Sequence, residues 1–218
     1  LTPTGNIIAV DARRPAPDLI ERAAGLIRQG GVVVIPTTGL YGLAADAGNP
    51  EALARIFRIK GRDPGKPILV LIDRMEMLDQ VAGEIASPVL QLMARFWPGG
   101  VTLVVPAHPG LSSILTSGSG TIGVRRVRHP VAAALVRAAG RPLTGTSANL
   151  SGEPGCAVLE DIDPSILEAV DLALDAGLLV GGPGSTVVDV TGTVPVILRE
   201  GEVPGAQVLA AFAQIVGG

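Results

Sequence analysis

The chain has 218 residues, 47% of them hydrophobic and 17% charged, so it can bury a large core and is not a disordered polymer. Aromatic residues make up only 2%, which makes that core aliphatic, and a net charge of −3 argues against binding nucleic acid by bulk charge. The single Cys156 excludes an internal disulfide, and the two histidines, His108 and His129, lie too far apart for metal-ligand spacing.

Asn6 to Val10 reads as a short strand, and Asp18 to Gln29 as a helix with Leu19, Ala23, Leu26 and Ile27 on one face and Gly30 as its stop. Val32-Val33-Val34-Ile35 is an unbroken β-branched run, the pattern of a strand buried on both faces. It ends at Pro36 and opens into a Thr/Gly loop where a ligand can approach the backbone. Asn49-Pro50-Glu51 supplies an N-cap, a first-turn proline and an acid for the next helix, whose apolar stripe is Leu53, Ile56 and Phe57. Lys60 and Arg62 close it, and cations there complement the helix dipole whatever else they do.

Pro67 to Ile72 is a second buried strand. Ser87-Pro88 starts a helix carrying Val89, Leu92, Met93 and Phe96, Trp97-Pro98-Gly99-Gly100 ends it, and Val101 to Val105 is a third strand. Leu111 to Gly120 reads as a loop, Thr121 to Val127 as a strand, and Pro130 to Ala139 as a helix capped by Gly140. Pro142 to Thr146 is a further strand that delivers Ser147-Ala148-Asn149 into a loop, and Ser151 to Ala157 is irregular. Ile162 to Val170 is a short helix, Leu172 to Leu174 a short strand and Leu179 to Gly184 a glycine-rich turn. Thr186 to Val190 and Val194 to Arg199 form a hairpin, and Pro204 to Ile215 a closing helix. Strands and helices alternate without a linker, charge block or repeat, which predicts one α/β domain over residues 1–218 with a large twisted sheet. The late hairpin makes that sheet mixed. No apolar run reaches about 18 residues and no signal-peptide pattern opens the chain, so a cytoplasmic protein without a membrane partner is expected.

Two glycine motifs fail on context. Gly118-Ser119-Gly120-Thr121-Ile122-Gly123 fits G-x-G-x-x-G but precedes a strand and opens no helix. Gly61 to Pro67 is one residue short of a phosphate-binding loop and carries Pro67 where the magnesium-binding hydroxyl belongs. What rises above background is a set of polar residues at element ends: Lys60 and Arg62, Thr121 and Arg125, Ser147 and Asn149, Ser185, and Arg199. Cations, hydroxyls and an amide without an acid pair or a nucleophile–base set suit a polyphosphate better than hydrolysis. His129 before Pro130 reads as a capping or packing residue, and Cys156 as a small loop side chain.

Pro36-Thr37-x-x-x-Tyr41-Gly42-Leu43, Lys60-x-Arg62 and Ser147-x-Asn149 together resemble the threonylcarbamoyl-AMP synthase family, the YrdC-like proteins. Trp97-Pro98-Gly99, Thr121-x-x-x-Arg125, His129-Pro130 and Ser185-Thr186-Val187-Val188-Asp189 match in order, so the resemblance runs from about residue 14 to 201. It implies a single three-layer domain with a mixed sheet, in the short form of the family. It also implies a nucleotidyltransferase that makes threonylcarbamoyl-AMP and pyrophosphate from L-threonine, bicarbonate and ATP carrying Mg2+. Partner proteins then move the threonylcarbamoyl group onto a tRNA adenosine.

By that resemblance Lys60 and Arg62 are catalytic and bind phosphates. Lys66, Thr121, Ser147, Asn149 and Arg199 contact ATP or the adenylate. Arg125, Ser185 and Gly39 serve the amino acid, and no residues form a metal site. The family places an acid and a threonine where Thr38 and Gly39 stand, a histidine at Leu71, and in some relatives an asparagine at Lys66. These departures predict ordinary ATP binding but weak threonine binding, with tolerance for another small amino acid. The alternative reading is a double-stranded-RNA or tRNA-binding protein using a basic surface of Lys60, Arg62, Arg125, Arg126 and Arg128, with strongly salt-dependent affinity.

Overall fold

Residues 6–217 are described by a computed structural model of the chain. Helix α1 (Pro17–Arg28) begins on a proline. It ends where Gly30, at φ 86°, and Gly31 return their N–H groups to Ile27 O and Leu26 O. Helix α2 (Pro50–Lys60) is capped as its sequence requires: Asn49 Oδ1 accepts from the N–H groups of Glu51 and Ala52 at 3.0 and 3.1 Å, and Gly61 takes the left-handed conformation. Helices α3 (Ser87–Phe96), α5 (Pro130–Ala139) and α6 (Pro164–Ala169) also start on prolines or at the residue before one. A short α4 (Ser113–Thr116) interrupts the segment expected to be loop, and α7 (Gly205–Gly217) packs on α3.

The mixed character of the β-structure holds, but the strands divide between two sheets. The first has the order β1 (Ile7–Ala9), β9 (Leu172–Asp175), β2 (Val33–Pro36), β3 (Tyr41–Ala44), β8 (Thr146–Ser147). The second runs β11 (Val196–Arg199), β10 (Thr186–Asp189), β5 (Val101–Pro106), β6 (Thr121–Arg126), β4 (Val70–Ile72), β7 (Leu143–Thr144). The strand expected over Pro142 to Thr146 is cut at Gly145. Residues before it pair with β4, and residues after it pair with β3. Only glycine fits there, because a Cβ would lie 2.5 Å from Leu69 Cδ1 and 2.7 Å from Leu71 Cδ2. Tyr41–Ala44, expected to be loop, instead returns antiparallel to β2.

Val33 to Ile35 are buried on both faces, as the unbroken apolar run requires. Asp171 fastens the entry to β2: its Oδ2 accepts from Val32 N–H at 2.7 Å and from Arg55 Nη1 at 2.6 Å, and its own N–H bonds Val32 O. Replacing Asp171 with alanine strands the buried Val32 N–H and should lower stability by about 2–3 kcal/mol. Arg55→Ala removes only the half-exposed ion pair and should cost about 1 kcal/mol or less. Urea titrations of the two variants check that order.

Candidate active site

Side chains alternate across a strand. On β6, Thr121, Gly123 and Arg125 therefore face a cavity of about 900 Å³, while Ile122 and Val124 enter the core. At roughly 3.3 Å per residue, Thr121 and Arg125 stand about 13 Å apart and mark its two ends. The first sheet contributes the Thr37–Gly42 hairpin and Ser147 as one wall. The link from β9 to β10 passes along the mouth, with Val180 to Ser185 in the lining.

At the Thr121 end, Ser119 Oγ lies 3.0 Å from Thr121 Oγ1. Arg62 donates from Nε to Lys66 O (3.1 Å) and from Nη2 to Pro67 O (2.9 Å), just ahead of β4, whose parallel register with β6 sets these residues beside Thr121. Burial lowers the Arg62 pKa, opposed by Asp63, but the side chain still lines the cavity.

At the other end, Ser185 Oγ meets Thr102 Oγ1 at 2.8 Å. Arg199 grips Ser185 O from Nη2 (2.8 Å) and Nε (3.3 Å), and Arg128 pairs with Glu202 at 2.7 Å. Arg125 lies among them; among the described residues it donates no hydrogen bond, and its Nε is buried without a partner. Burial pulls its pKa down to about 10; Glu202 counters this, while Arg199 and Arg128 add to it. The half-buried guanidinium is still charged near neutrality, so it can take an anion as a planar fork.

Gly39, Arg62, Thr121, Arg125, Ser147, Ser185 and Arg199 thus come together around one cavity. Lys60, Asn149 and Lys66 do not line it. Lys60 is 2% exposed, and its Nζ donates to Ser147 O and, at 2.6 Å, to Asn149 O. The family resemblance expects Lys60 on a phosphate; in the structure it stands behind the wall. Helix α2 aims its last side chain inward, and the loop after β8 closes over it. Asn149 is buried likewise, donating from Nδ2 to Leu150 O and Glu153 O at 2.7 Å each. Lys66 is exposed beyond the rim.

Leu71, expected near the amino acid, is fully buried against Gly145; Leu69, two residues earlier, is the one that reaches the cavity. The basic surface proposed for RNA is also broken up. Arg126 points to the opposite face from Arg125, donating to Asp73 O at 2.8 Å, and Lys60 is buried. His129 caps α5 without a side-chain bond, and burial lowers its pKa.

In the sequence Tyr41 figures only as a motif residue without a role, and Thr102 and Glu202 carry no assignment, yet all three stand in the site. The chain's one tyrosine and an acid close after Arg199 were the available signals. Among the described residues no group of three or more His, Cys, Asp or Glu side chains is placed to hold a metal, and no helix is long and apolar enough to cross a membrane.

Comparison with known proteins shows the family to which the chain belongs. The Sua5/YciO/YrdC family model, described as "Telomere recombination", matches residues 25–201. A threonylcarbamoyl-AMP synthase of Bacillus subtilis (strain 168) is 38% identical over 205 residues, which are 90% of this chain and 57% of the relative. The crystal structure of Pyrococcus abyssi Sua5 complexed with L-threonine superposes with a TM-score of 0.89 at 35% identity, covering 97% of this chain and 61% of that one. Escherichia coli YciO superposes at 0.84 with 29% identity, covering 93% and 98%. This chain therefore spans a little under two thirds of the Bacillus and Pyrococcus proteins, but nearly all of YciO. The family match, over more than three quarters of the sequence, and the shared fold make the chain a member of the Sua5/YciO/YrdC family.

Proposed function

We propose that the chain is a threonylcarbamoyl-AMP synthase, joining L-threonine, bicarbonate and ATP into threonylcarbamoyl-AMP with release of pyrophosphate. The observation that carries this reading is Arg125, a half-buried, charged guanidinium whose Nε is buried without a partner among the described residues, at one end of a cavity whose other end holds Arg62 and hydroxyls. An α-carboxylate suits the Arg125 fork, and Ser185, held by Thr102 and Arg199, offers a hydroxyl beside it. The triphosphate suits Arg62, Thr121 and Ser147.

The amino group and bicarbonate give a carbamate and water. A carbamate oxygen then bonds to the α-phosphorus as the bond to the β-phosphate oxygen breaks. Arg62 offsets charge on the phosphates as that bond breaks. Lys60 acts from behind, fixing the carbonyls of Ser147 and Asn149 and so the wall that the nucleotide meets.

Magnesium would arrive with ATP rather than in a cage built by the chain. Of the cavity's three acids, Glu202 is held by Arg128 and Asp189 accepts from the N–H and Oγ1 of Thr191, and Glu153 does not join them in a group placed to hold a metal among the described residues. In this reading the enzyme works in the cytoplasm, and its product passes to partners that modify a tRNA adenosine. Threonine recognition does not depend on Leu71, because that side chain is in the core.

Incubation with ATP, bicarbonate and L-threonine should release pyrophosphate in proportion to threonine, and omission of either bicarbonate or threonine should abolish it. Pyrophosphate that is independent of threonine, or none at all, would refute the assignment.

A further inference from the structure

Residues 177–184, Gly-Leu-Leu-Val-Gly-Gly-Pro-Gly, carry the chain from the first sheet to the second along the cavity mouth. Gly177, Gly181, Gly182 and Gly184 all have positive φ, between 72° and 104°, a backbone that side chains disfavour. Leu178 and Val180 are 79% and 90% exposed, and Leu179 between them is the one strap side chain that enters the core, so little packing holds the strap.

Beyond that one side chain it is held by a few hydrogen bonds. At its root, Tyr41 Oη donates to Gly177 O at 2.8 Å and accepts from Ala176 N–H at 3.0 Å. Further along, Leu179 N–H reaches Ala157 O, and Gly181 N–H reaches Gly39 O at 2.9 Å. The Gly39 contact is backbone on backbone: a Cβ on Gly39 would lie 2.4 Å from Gly181 O. Tyr41 also ties two other parts of the site together, since its N–H donates to Cys156 O and its carbonyl accepts from Ala148 N–H, between Ser147 and Asn149. Its ring is fully buried, so its position is fixed by packing and its hydroxyl is the part free to act on the strap.

We propose that Tyr41 is a positioning residue for the amino-acid end of the cavity: by fixing the root of the strap it sets the wall that limits the side chain of the amino acid, and so selects small ones. The strap leads directly into Ser185, beside Arg125, which places that wall at the carboxylate-binding end. The inference rests on the amino-acid-dependent reaction proposed above and adds the element that chooses among amino acids. Burial raises the Tyr41 pKa to about 12, so the hydroxyl keeps its proton throughout the working range.

Tyr41→Phe keeps the ring and removes only the fastening. With the hydroxyl's bonds to Gly177 O, Ala176 N–H and Asp175 Oδ1 lost, amide exchange at Leu179 and Gly181 should quicken at least about tenfold, and the threonine KM should rise by about tenfold. The kcat and the ATP KM should stay within about twofold, because uniform ground-state binding is what is lost. The preference for threonine over leucine should fall about tenfold. If Tyr41→Phe does not fold, Gly39→Ala pushes Gly181 away from the other side and should lower the same preference. Wild-type preference in the folded variants, whether or not exchange quickens, overturns the inference while leaving the proposed reaction standing. A wild-type chain without threonine-dependent pyrophosphate release overturns the reaction and the inference with it.

Discussion

Replacing Lys60 with methionine should destabilise the protein by about 2–4 kcal/mol and leave no measurable synthesis at any ATP concentration. The ammonium serves two buried carbonyls, Ser147 O and Asn149 O, and methionine fills the stem volume without offering a donor. Each stranded carbonyl costs about 1–3 kcal/mol, partly offset because a charge no longer has to be buried. A lysine that only bound phosphate would behave otherwise: its loss would raise the ATP KM and leave folding unchanged.

The charge state gives a second signature. Burial pushes the Lys60 pKa down from 10.5 to about 8; neighbouring Arg62 adds to the shift and Cys156 opposes it. Between those values the unfolded chain holds a proton that the folded chain has released. Stability from this group therefore rises as pH increases from about 8 toward 10.5. Urea midpoints measured at pH 7.5 and 9.5 should show a rise in the wild type that Lys60→Met lacks. A variant with unchanged stability and only a raised ATP KM would return Lys60 to the phosphates.

Arg125→Met should have effects of opposite sign on stability and on activity. The guanidinium is half-buried, charged and, among the described residues, without a hydrogen bond from its buried Nε, so the protein gains little from it beyond the influence of Glu202. Removing it should stabilise the fold by about 1 kcal/mol or more. The same change deletes two charge-assisted hydrogen bonds to a carboxylate, at about 1.5–3 kcal/mol each, and should lower kcat/KM for threonine at least about 100-fold. Arg125→Lys restores charge without the planar fork and should recover less than about tenfold of that loss. Thermal unfolding and threonine titration of the three proteins read both signs; destabilisation by Arg125→Met would mean that Arg125 is structural.

Much of this was written locally in the chain. Asn49-Pro50-Glu51 and Gly61 bound α2 because capping is a matter of a few adjacent residues. Val33 to Ile35 announced a strand buried on both faces because such a run has no polar face to turn to water. The division into two sheets was not legible, because it depends on Gly145 lying against Leu69 and Leu71, residues more than seventy positions away. Tyr41–Ala44 was missed as a strand for the same reason: its glycine and short length speak for a loop until β2 and β8 flank it.

In the site, residue type identified the polar set, but only the fold says which way each side chain points. Alternation on β6 sends Arg125 into the cavity and Arg126 away from it. The inward turn at the end of α2 separates Lys60 from Arg62, although the two look equivalent in sequence.

The place of β9 in the first sheet bears on how the chain comes to be folded during synthesis. β9 lies between β1 and β2, pairing Ile7 with Ala173 and Val33 with Leu172. Neither amino-terminal strand can complete its ladder until residue 175 has left the ribosome, so an emerging chain carries the apolar edge of β2 unpaired for most of translation. Such long-range parallel pairing is slow and leaves sticky edges open meanwhile. The nascent protein should therefore lean on chaperones until the strand at 172–175 slots in, and fragments ending before it should be recovered as aggregates rather than as small stable domains.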